Sequence, residues 1–187
     1  MKNIKIIAIV GSMRRDSYNR RLAIEAGRII GERAEFSLLD YSNVPLFNQD
    51  VEYPAPESVR QVRDIVKNAD ALWFFSPEYN HFFPGVLKNL IDWLSRKISD
   101  DEPQVLKGKP AAVSGISLGM TGAILAQHHL VSLLSFLDLK VMNTPRLSIP
   151  NAMQQTHSNG QLNLTNSVDF LEKQVQEFLN FINYNPK

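Results

Sequence analysis

Short apolar runs alternate along this chain with longer amphipathic stretches. The apolar runs are rich in β-branched and aromatic residues and are too short for helices, which is typical of strands buried on both faces of a parallel sheet. The pattern predicts five strands, at residues 4–10, 36–39, 71–76, 111–117 and 139–142. The last of them alternates apolar with polar residues, which indicates an edge strand.

Apolar side chains at helical spacing follow each predicted strand. They predict five helices, at residues 19–33, 59–69, 84–94, 123–137 and 168–182. Pro84 stands where the third helix is expected to begin, a favourable place for proline. Residues 143–166 are polar and rich in turn-forming residues, so we interpret them as a surface loop before the last helix.

Alternation of strands and helices predicts an α/β fold, a doubly wound five-stranded parallel sheet with helices on both faces. Right-handed crossovers limit the topologies, and we expect the strand order 2-1-3-4-5. The length suits a single domain over residues 1–187. Ligands of such folds bind at the carboxyl ends of the strands, at the switch point between strands 1 and 3. The candidate site residues therefore follow Val10, Phe75 and Ile116.

Composition and charge are those of an ordinary globular protein, with 44% hydrophobic and 21% charged residues. A net charge of +1 gives no electrostatic reason to expect a nucleic-acid partner or an anionic membrane. The absence of cysteine excludes disulfides and thiolate catalysis, and it suits a reducing compartment. No apolar run is long enough to span a membrane. We therefore expect a cytoplasmic protein.

The loop after the first strand, residues 11–19, carries polar groups suited to an anion. Ser12 and Ser17 offer hydroxyls, Asn19 an amide and Arg14 a guanidinium, next to the unpaired N–H groups of a helix start. This set suits a terminal phosphate dianion. The loop matches neither the dinucleotide fingerprint nor the P-loop pattern. Its alternative interpretation is a capped helix with exposed arginines.

The loop after the third strand, residues 76–85, is stiffened by two prolines and a glycine. Peptide groups between Glu78 and Asn80 are placed to hydrogen-bond the edge of a flat heterocycle. Tyr79 and the neighbouring phenylalanines are candidates to cover its face. The alternative is a proline-anchored turn that leads into a helix.

Together these segments resemble the NAD(P)H-dependent FMN reductase family. Residues 11–19 match the family pattern G-S-x-R-x-x-S-x-N, and residues 77–96 match P-E-Y-N-x-x-x-P-G-x-L-K-N-x-I-D-W-x-S-R. A third match combines Gly108-Lys109-Pro110 with Ser117-x-Gly119. The resemblance extends from Ile4 to Met142, and it is strongest to the branch with bacterial chromate, quinone and azo-dye reductases.

The resemblance implies a flavodoxin-like fold with non-covalently bound FMN, whose N5 carries the chemistry, so no catalytic or metal-binding residue is assigned. It implies that the phosphate is held by Ser12, Arg14, Ser17, Tyr18 and Asn19. It implies that the isoalloxazine ring is lined by Pro77, Glu78, Tyr79, Asn80, Ser117 and Gly119. The chain departs from many relatives at Gly122-Ala123, where they have two glycines, and at the bulky segment 81–83. Both departures lie near the ring, where they affect the choice of acceptor.

The implied reaction passes electrons from NADH or NADPH through FMN to a second small-molecule acceptor, which is a quinone, a flavin, an azo compound or a metal oxyanion. Without a dinucleotide fingerprint we expect no second nucleotide pocket, so the donor stacks on the flavin and shares its face with the acceptor. Such a site predicts ping-pong kinetics. The alternatives are a flavodoxin-type electron carrier and a cofactor-binding regulatory subunit. Flavodoxins tend to be strongly acidic with a Thr-rich phosphate loop, and this chain has neither feature.

We also expect a homodimer, or a homotetramer built from two dimers. Phe82, Phe83 and Trp93 are predicted on or near the rim of the flavin face, and the apolar run 130–134 is predicted to lie on the surface. The alternative is that these residues face the sheet. His128 and His129 are adjacent on a helix and point about 100° apart, so they cannot chelate one metal together.

Overall fold

The computed structural model describes residues 4–99, 102–157, 161–164 and 167–185. Its strands are β1 (Lys5–Val10), β2 (Glu35–Leu38), β3 (Ala71–Phe75), β4 (Pro110–Ile116), β5 (Lys140–Val141) and β6 (Leu147–Ile149). Its helices are α1 (Tyr18–Ile30), α2 (Glu57–Asn68), α3 (Gly85–Leu94), α4 (Ile124–Phe136) and α5 (Val168–Tyr184), and short 3-10 turns cover Gly31–Arg33 and Gln49–Val51. In the described residues, no helix is both long enough and apolar enough to cross a bilayer.

The strands form one parallel sheet in the order β2-β1-β3-β4-β5, which confirms the predicted order. Ser114 of β4 pairs with Phe75 of β3 and with Leu147 of β6, so β3 and β6 lie on opposite sides of β4. Since β5 also pairs with β4, the two short strands share the outer position. The interpretation of residues 143–166 as a surface loop is therefore wrong for residues 147–149. A strand of three residues is too short to give a periodic signal.

The side chains of β3 alternate between two hydrophobic cores, as a strand covered on both faces requires. Trp73 and Phe75 pack beneath α1 and α5, and Trp73 contacts the ring of Phe178 edge-on at 5.2 Å between centroids. Leu72 and Phe74 point to the opposite face, beneath α2, α3 and α4. Helices therefore cover both faces of the sheet, as predicted.

The motif in α3 serves the fold, because its polar groups hold the loop that follows β2. Asn89 Nδ2 and Trp93 Nε1 each donate to the Pro45 carbonyl at 2.8 Å, and Arg96 Nε donates to Glu52 at 2.7 Å. Trp93 is fully buried, so its predicted place on the rim of the flavin face is wrong. The indole packs against Phe47 instead, with 4.9 Å between ring centroids.

Two other parts of the predicted surface are also buried. Phe83 is 4% exposed, while Leu130 and Leu134 of α4 are completely buried against the sheet. The alternative interpretation, that these residues face the sheet, is correct for these three. Of the predicted aromatic rim, Phe82 alone is exposed, to 45%.

The register aligns the carboxyl ends of the central strands. Val10 pairs with Phe75, and Phe75 pairs with Ser114, so the next residues of β1, β3 and β4 lie side by side. Backbone bonds extend this alignment: Gly11 N donates to the Phe75 carbonyl at 2.8 Å, and Ser76 N to the Ser114 carbonyl at 3.0 Å. The three loops that follow are thereby brought to one edge of the sheet.

Candidate active site

A cavity of about 310 Å³ opens at this edge, between the loops that follow β1, β3 and β4. Every site residue predicted from the sequence lines it except Asn80: Ser12, Arg14, Ser17, Tyr18, Asn19, Pro77, Glu78, Tyr79, Ser117 and Gly119. Three further residues line it, namely Ile116, Leu118 and Thr121. Leu118 was missed although it lies between two predicted residues, because an apolar residue carries no polar signal.

One end of the cavity presents hydroxyls and a cation. Ser17 is the N-cap of α1, and its Oγ accepts from Arg20 N at 3.4 Å. The first turn of a helix leaves N–H groups without partners inside the helix. In the described part of the chain, the Arg14 guanidinium makes no ion pair or hydrogen bond. These groups suit a phosphate dianion.

Asn19 also lies at this end, but its amide is bonded to the sheet. Its Nδ2 donates to the Ile116 carbonyl at 2.9 Å, and Ile116 N donates to its Oδ1 at 3.1 Å. The side chain is almost completely buried. Asn19 therefore connects the start of α1 to the end of β4 and fixes the width of the cavity.

Tyr41 supports the loop from behind, and sequence reasoning missed it. Its hydroxyl donates to the Val10 carbonyl at 2.6 Å, directly before the loop begins. Burial raises the pKa of the Tyr41 hydroxyl above its ordinary value, so it stays a neutral donor. Nothing in the local sequence marks this tyrosine, because its partner lies 31 residues away.

The loop after β3 forms a tight two-residue turn. Tyr79 and Phe82 exchange backbone hydrogen bonds of 2.9 and 3.0 Å across Asn80 and His81. Both central residues have positive φ, 51° and 63°, as a type I′ turn requires. Asn80 occupies the tip of this turn and lies outside the cavity lining. The turn places Tyr79 in the lining and stacks Phe82 on His129 of α4, with 4.4 Å between ring centroids.

Glu78 joins the site to α4. Its Oε2 accepts from Leu125 N at 3.0 Å and from Ala126 N at 3.1 Å, in the first turn of that helix. A carboxylate at a helix N-terminus is stabilised by the free N–H groups and by the helix dipole. The Glu78 side chain is therefore a cap for α4, and its backbone remains available to a ligand.

The other end of the cavity, towards the loops after β3 and β4, includes the apolar residues Pro77 and Leu118. Tyr79 and Leu118 are 53% and 60% exposed, so this end opens to solvent. A polar, cationic end joined to an open apolar end fits both parts of FMN, the phosphate and the flat ring. No group of three or more His, Asp or Glu side chains suited to a metal occurs among the described residues.

The protein has a doubly wound sheet of order 2-1-3-4-5, and a cavity suited to a phosphate lies at its switch point. These two features place it in the class of flavodoxin-like nucleotide-binding proteins. Comparison with known proteins narrows that class. Residues 4–154 match the family model described as NADPH-dependent FMN reductase. The chain therefore belongs to the NADPH-dependent FMN reductase family.

Individual relatives agree with this assignment. A 2-hydroxy-1,4-benzoquinone reductase of a Burkholderia species is 37% identical over 159 residues, which cover 85% of each chain. An NAD(P)H-dependent FMN reductase of Pseudomonas aeruginosa is 38% identical over 175 residues, covering 93% of this chain and 92% of the relative. The structure of FerB, a flavoenzyme NAD(P)H:(acceptor) oxidoreductase from Paracoccus denitrificans, superposes with a TM-score of 0.88 at 34% identity, covering 98% of this chain and 100% of FerB.

The protein is accordingly an FMN-dependent oxidoreductase that uses NAD(P)H, as the sequence predicted. This assignment favours the enzyme over the two alternatives, an electron carrier and a regulatory subunit. The family's cofactor agrees with the chemistry of the residues that line the cavity.

Proposed function

We propose that the protein reduces quinones at the expense of NAD(P)H by a ping-pong mechanism. The observation that carries this proposal is the open apolar end of the cavity, where Tyr79 and Leu118 stand about half exposed beside the space for a flat ring. Such a rim suits a flat, apolar acceptor. Relatives named as quinone reductases support this choice, among them one from Escherichia coli that is 33% identical over 187 residues.

The residues of the chain bind the cofactor and orient it. Arg14 and the hydroxyls of Ser12, Ser17 and Tyr18 would hold the phosphate of FMN, while Asn19 and Tyr41 keep their loop in place. Bound FMN supplies the hydride-accepting and electron-donating chemistry.

Pro77, Tyr79, Ser117 and Gly119, together with the backbone of Glu78, would contact the ring of bound FMN. Asn80 acts indirectly, because it forms the turn that presents Tyr79 and Phe82. The exposed end of the cavity at Tyr79 and Leu118 would admit NAD(P)H first, and the quinone after NAD(P)⁺ has left.

Steady-state kinetics test this function. With FMN-loaded enzyme, NADPH or NADH and a benzoquinone, we expect sustained turnover with parallel lines in double-reciprocal plots. Excess quinone inhibits competitively against the donor, because both use one face. Intersecting lines would indicate a ternary complex and overturn the mechanism. A single stoichiometric oxidation without turnover would identify an electron carrier.

Two truncations examine the acceptor site. Tyr79→Ala and Phe82→Ala are expected to raise the KM for the quinone several-fold, while the affinity for FMN changes little. Phe136→Ala is the matched control, since this side chain is 84% exposed at the far end of α4. If Phe136→Ala raised the KM for the quinone equally, Tyr79 and Phe82 would not form part of the acceptor site.

We also propose that the enzyme is a two-fold dimer, alone or paired into a tetramer, that acts in the cytoplasm. Val86 and Ile124, each 41% exposed, and Phe82 form an exposed apolar set on α3, α4 and the turn beside the cavity. An interface there would place a second copy next to the open face. The lack of cysteine suits a reducing compartment.

A further inference from the structure

A second cavity, of about 550 Å³, adjoins the first and is formed by the loops after β1 and β2. Ser12 lines both cavities, so the phosphate loop is the wall between them. Arg14 lines the first cavity and Arg15 the second, so two consecutive arginines of one loop contribute to different cavities. The sequence led us to expect no second nucleotide pocket, because no dinucleotide fingerprint occurs anywhere in the chain.

The lining of the second cavity is positive. It includes Arg15 and Arg20, against a single carboxylate from Asp40. Among the described residues neither guanidinium makes an ion pair or a hydrogen bond, whereas the neighbouring Arg21 lies 3.6 Å from Asp16. Arg20 interacts electrostatically with Asp40 but forms no salt bridge with it. Two guanidinium groups that make no ion pair or hydrogen bond beside a cavity suit an anionic ligand, because guanidinium groups bind phosphate oxygens strongly.

The remaining polar groups of the lining are held in fixed positions. Ser42 donates to Asp40 Oδ1 from its backbone N at 3.0 Å and from its hydroxyl at 2.8 Å. These bonds hold the pKa of Asp40 below its ordinary value, so it remains a carboxylate. The Tyr41 hydroxyl is bonded to Val10 and forms a rigid wall. A fixed carboxylate in this lining can accept a hydrogen bond from the one hydroxyl that the ribose of a 2′-phosphorylated adenosine keeps, the 3′-hydroxyl.

We propose that this second cavity binds the phosphorylated adenosine of NADPH, with Arg15 and Arg20 contacting the 2′-phosphate. This inference rests on the proposed function, in which the nicotinamide lies at the open end of the first cavity. The adenosine half of the donor then needs a place of its own, and the second cavity is adjacent and of a size that holds a small ligand. Arg15 and Arg20 would select NADPH over NADH, which lacks the 2′-phosphate.

Direct binding tests the site without turnover. FMN-loaded enzyme is titrated calorimetrically with adenosine 2′,5′-bisphosphate and with adenosine 5′-monophosphate. We expect the bisphosphate to bind at least tenfold more tightly, and R15Q/R20Q to abolish that preference while the affinity for FMN stays unchanged. R21Q is the matched control, because Arg21 is paired with Asp16 and does not line the cavity.

Kinetics provide the second readout. In R15Q/R20Q we expect kcat/KM to fall at least tenfold with NADPH and to stay within twofold with NADH. Equal losses with both donors, equal losses in R21Q, or a wild-type enzyme that does not prefer the bisphosphate would overturn the proposal. FAD that binds as tightly as FMN, and loses affinity only in R15Q/R20Q, would assign the cavity to the flavin and also overturn it. A protein that oxidises neither donor would instead defeat the proposed function.

Discussion

Individual polar residues at the site divide into those that face the cavity and those that hold its walls. Arg14 faces the cavity and, in the part of the chain that the structure describes, has no protein partner for its guanidinium. Asn19, Glu78 and Tyr41 all bond to backbone groups of other elements. Asn19, Glu78 and Tyr41 therefore hold the loops in the positions that allow Arg14 to face the cavity.

Replacing Arg14 tests the phosphate end at the scale of one residue. A charge-assisted hydrogen bond contributes about 1.5–3 kcal/mol, and about 1.4 kcal/mol corresponds to a factor of ten in affinity. Arg14→Ala is therefore expected to weaken FMN binding by roughly tenfold or more, while riboflavin, which lacks the phosphate, binds almost as before. Fluorescence titrations of both flavins measure the difference.

Arg28→Ala is the control, since this arginine pairs with Glu25 on the outer surface of α1. Equal affinities of the wild type for FMN and riboflavin would show that this loop does not bind the phosphate.

At the scale of elements, the divided outer strand is the least regular part of the sheet. β5 pairs with β4 up to Ala111 and β6 pairs from Ser114 onward, so the gap falls opposite Ala112 and Val113. Gln174 of α5 fills it, and its Nε2 donates to the carbonyls of Val113 and Pro145, both at 3.0 Å. Its Oε1 accepts from Ser114 Oγ at 2.6 Å. A helix side chain thus replaces the missing strand bonds.

Gln174→Leu is expected to lower the free energy of unfolding by about 3 kcal/mol, because each buried polar group left without a partner costs about 1–3 kcal/mol. Chemical denaturation measures the change. Gln176→Leu, two positions along α5 and exposed, is expected to stay within about 0.5 kcal/mol of the wild type. If Gln174→Leu changed the free energy of unfolding only slightly, the hydrogen bonds of Gln174 would not be what stabilises the sheet at this gap.

At the scale of the whole molecule, we predict that the chain assembles into a dimer. Val86 near the start of α3 and Ile124 at the start of α4 remain exposed, although much of α3 and α4 packs on the sheet. We expect a dimer by light scattering at micromolar concentration, and Val86→Glu to shift it toward monomer and to lower turnover. Ile24→Glu is the control, because Ile24 is 55% exposed on α1. A monomeric wild type with full activity would contradict the dimer.

The sequence by itself determined the five helices, every strand except β6 and most of the lining of the first cavity. Continuous apolar runs identify strands covered on both faces, and a fixed strand order brings the loops after β1, β3 and β4 together. Residues in those loops, from Ser12 to Gly119, were therefore identifiable before any coordinates. The prediction of FMN came from a family resemblance in all three loops, and membership of the family confirmed it.

Tertiary structure alone decided the features that depend on partners distant in sequence. Trp93 looked like a rim residue because periodicity cannot tell which neighbour covers a helix face, and here the loop after β2 covers it. β6 is too short to show a hydrophobic period in the sequence. The structural role of Gln174 is visible only once the gap between β5 and β6 is known, because its amide donates to the Val113 carbonyl there. The second cavity likewise requires Arg15 and Asp40, 25 residues apart along the sequence, to meet across the ends of β1 and β2. Local sequence encodes local structure, whereas packing between distant segments follows from the complete fold.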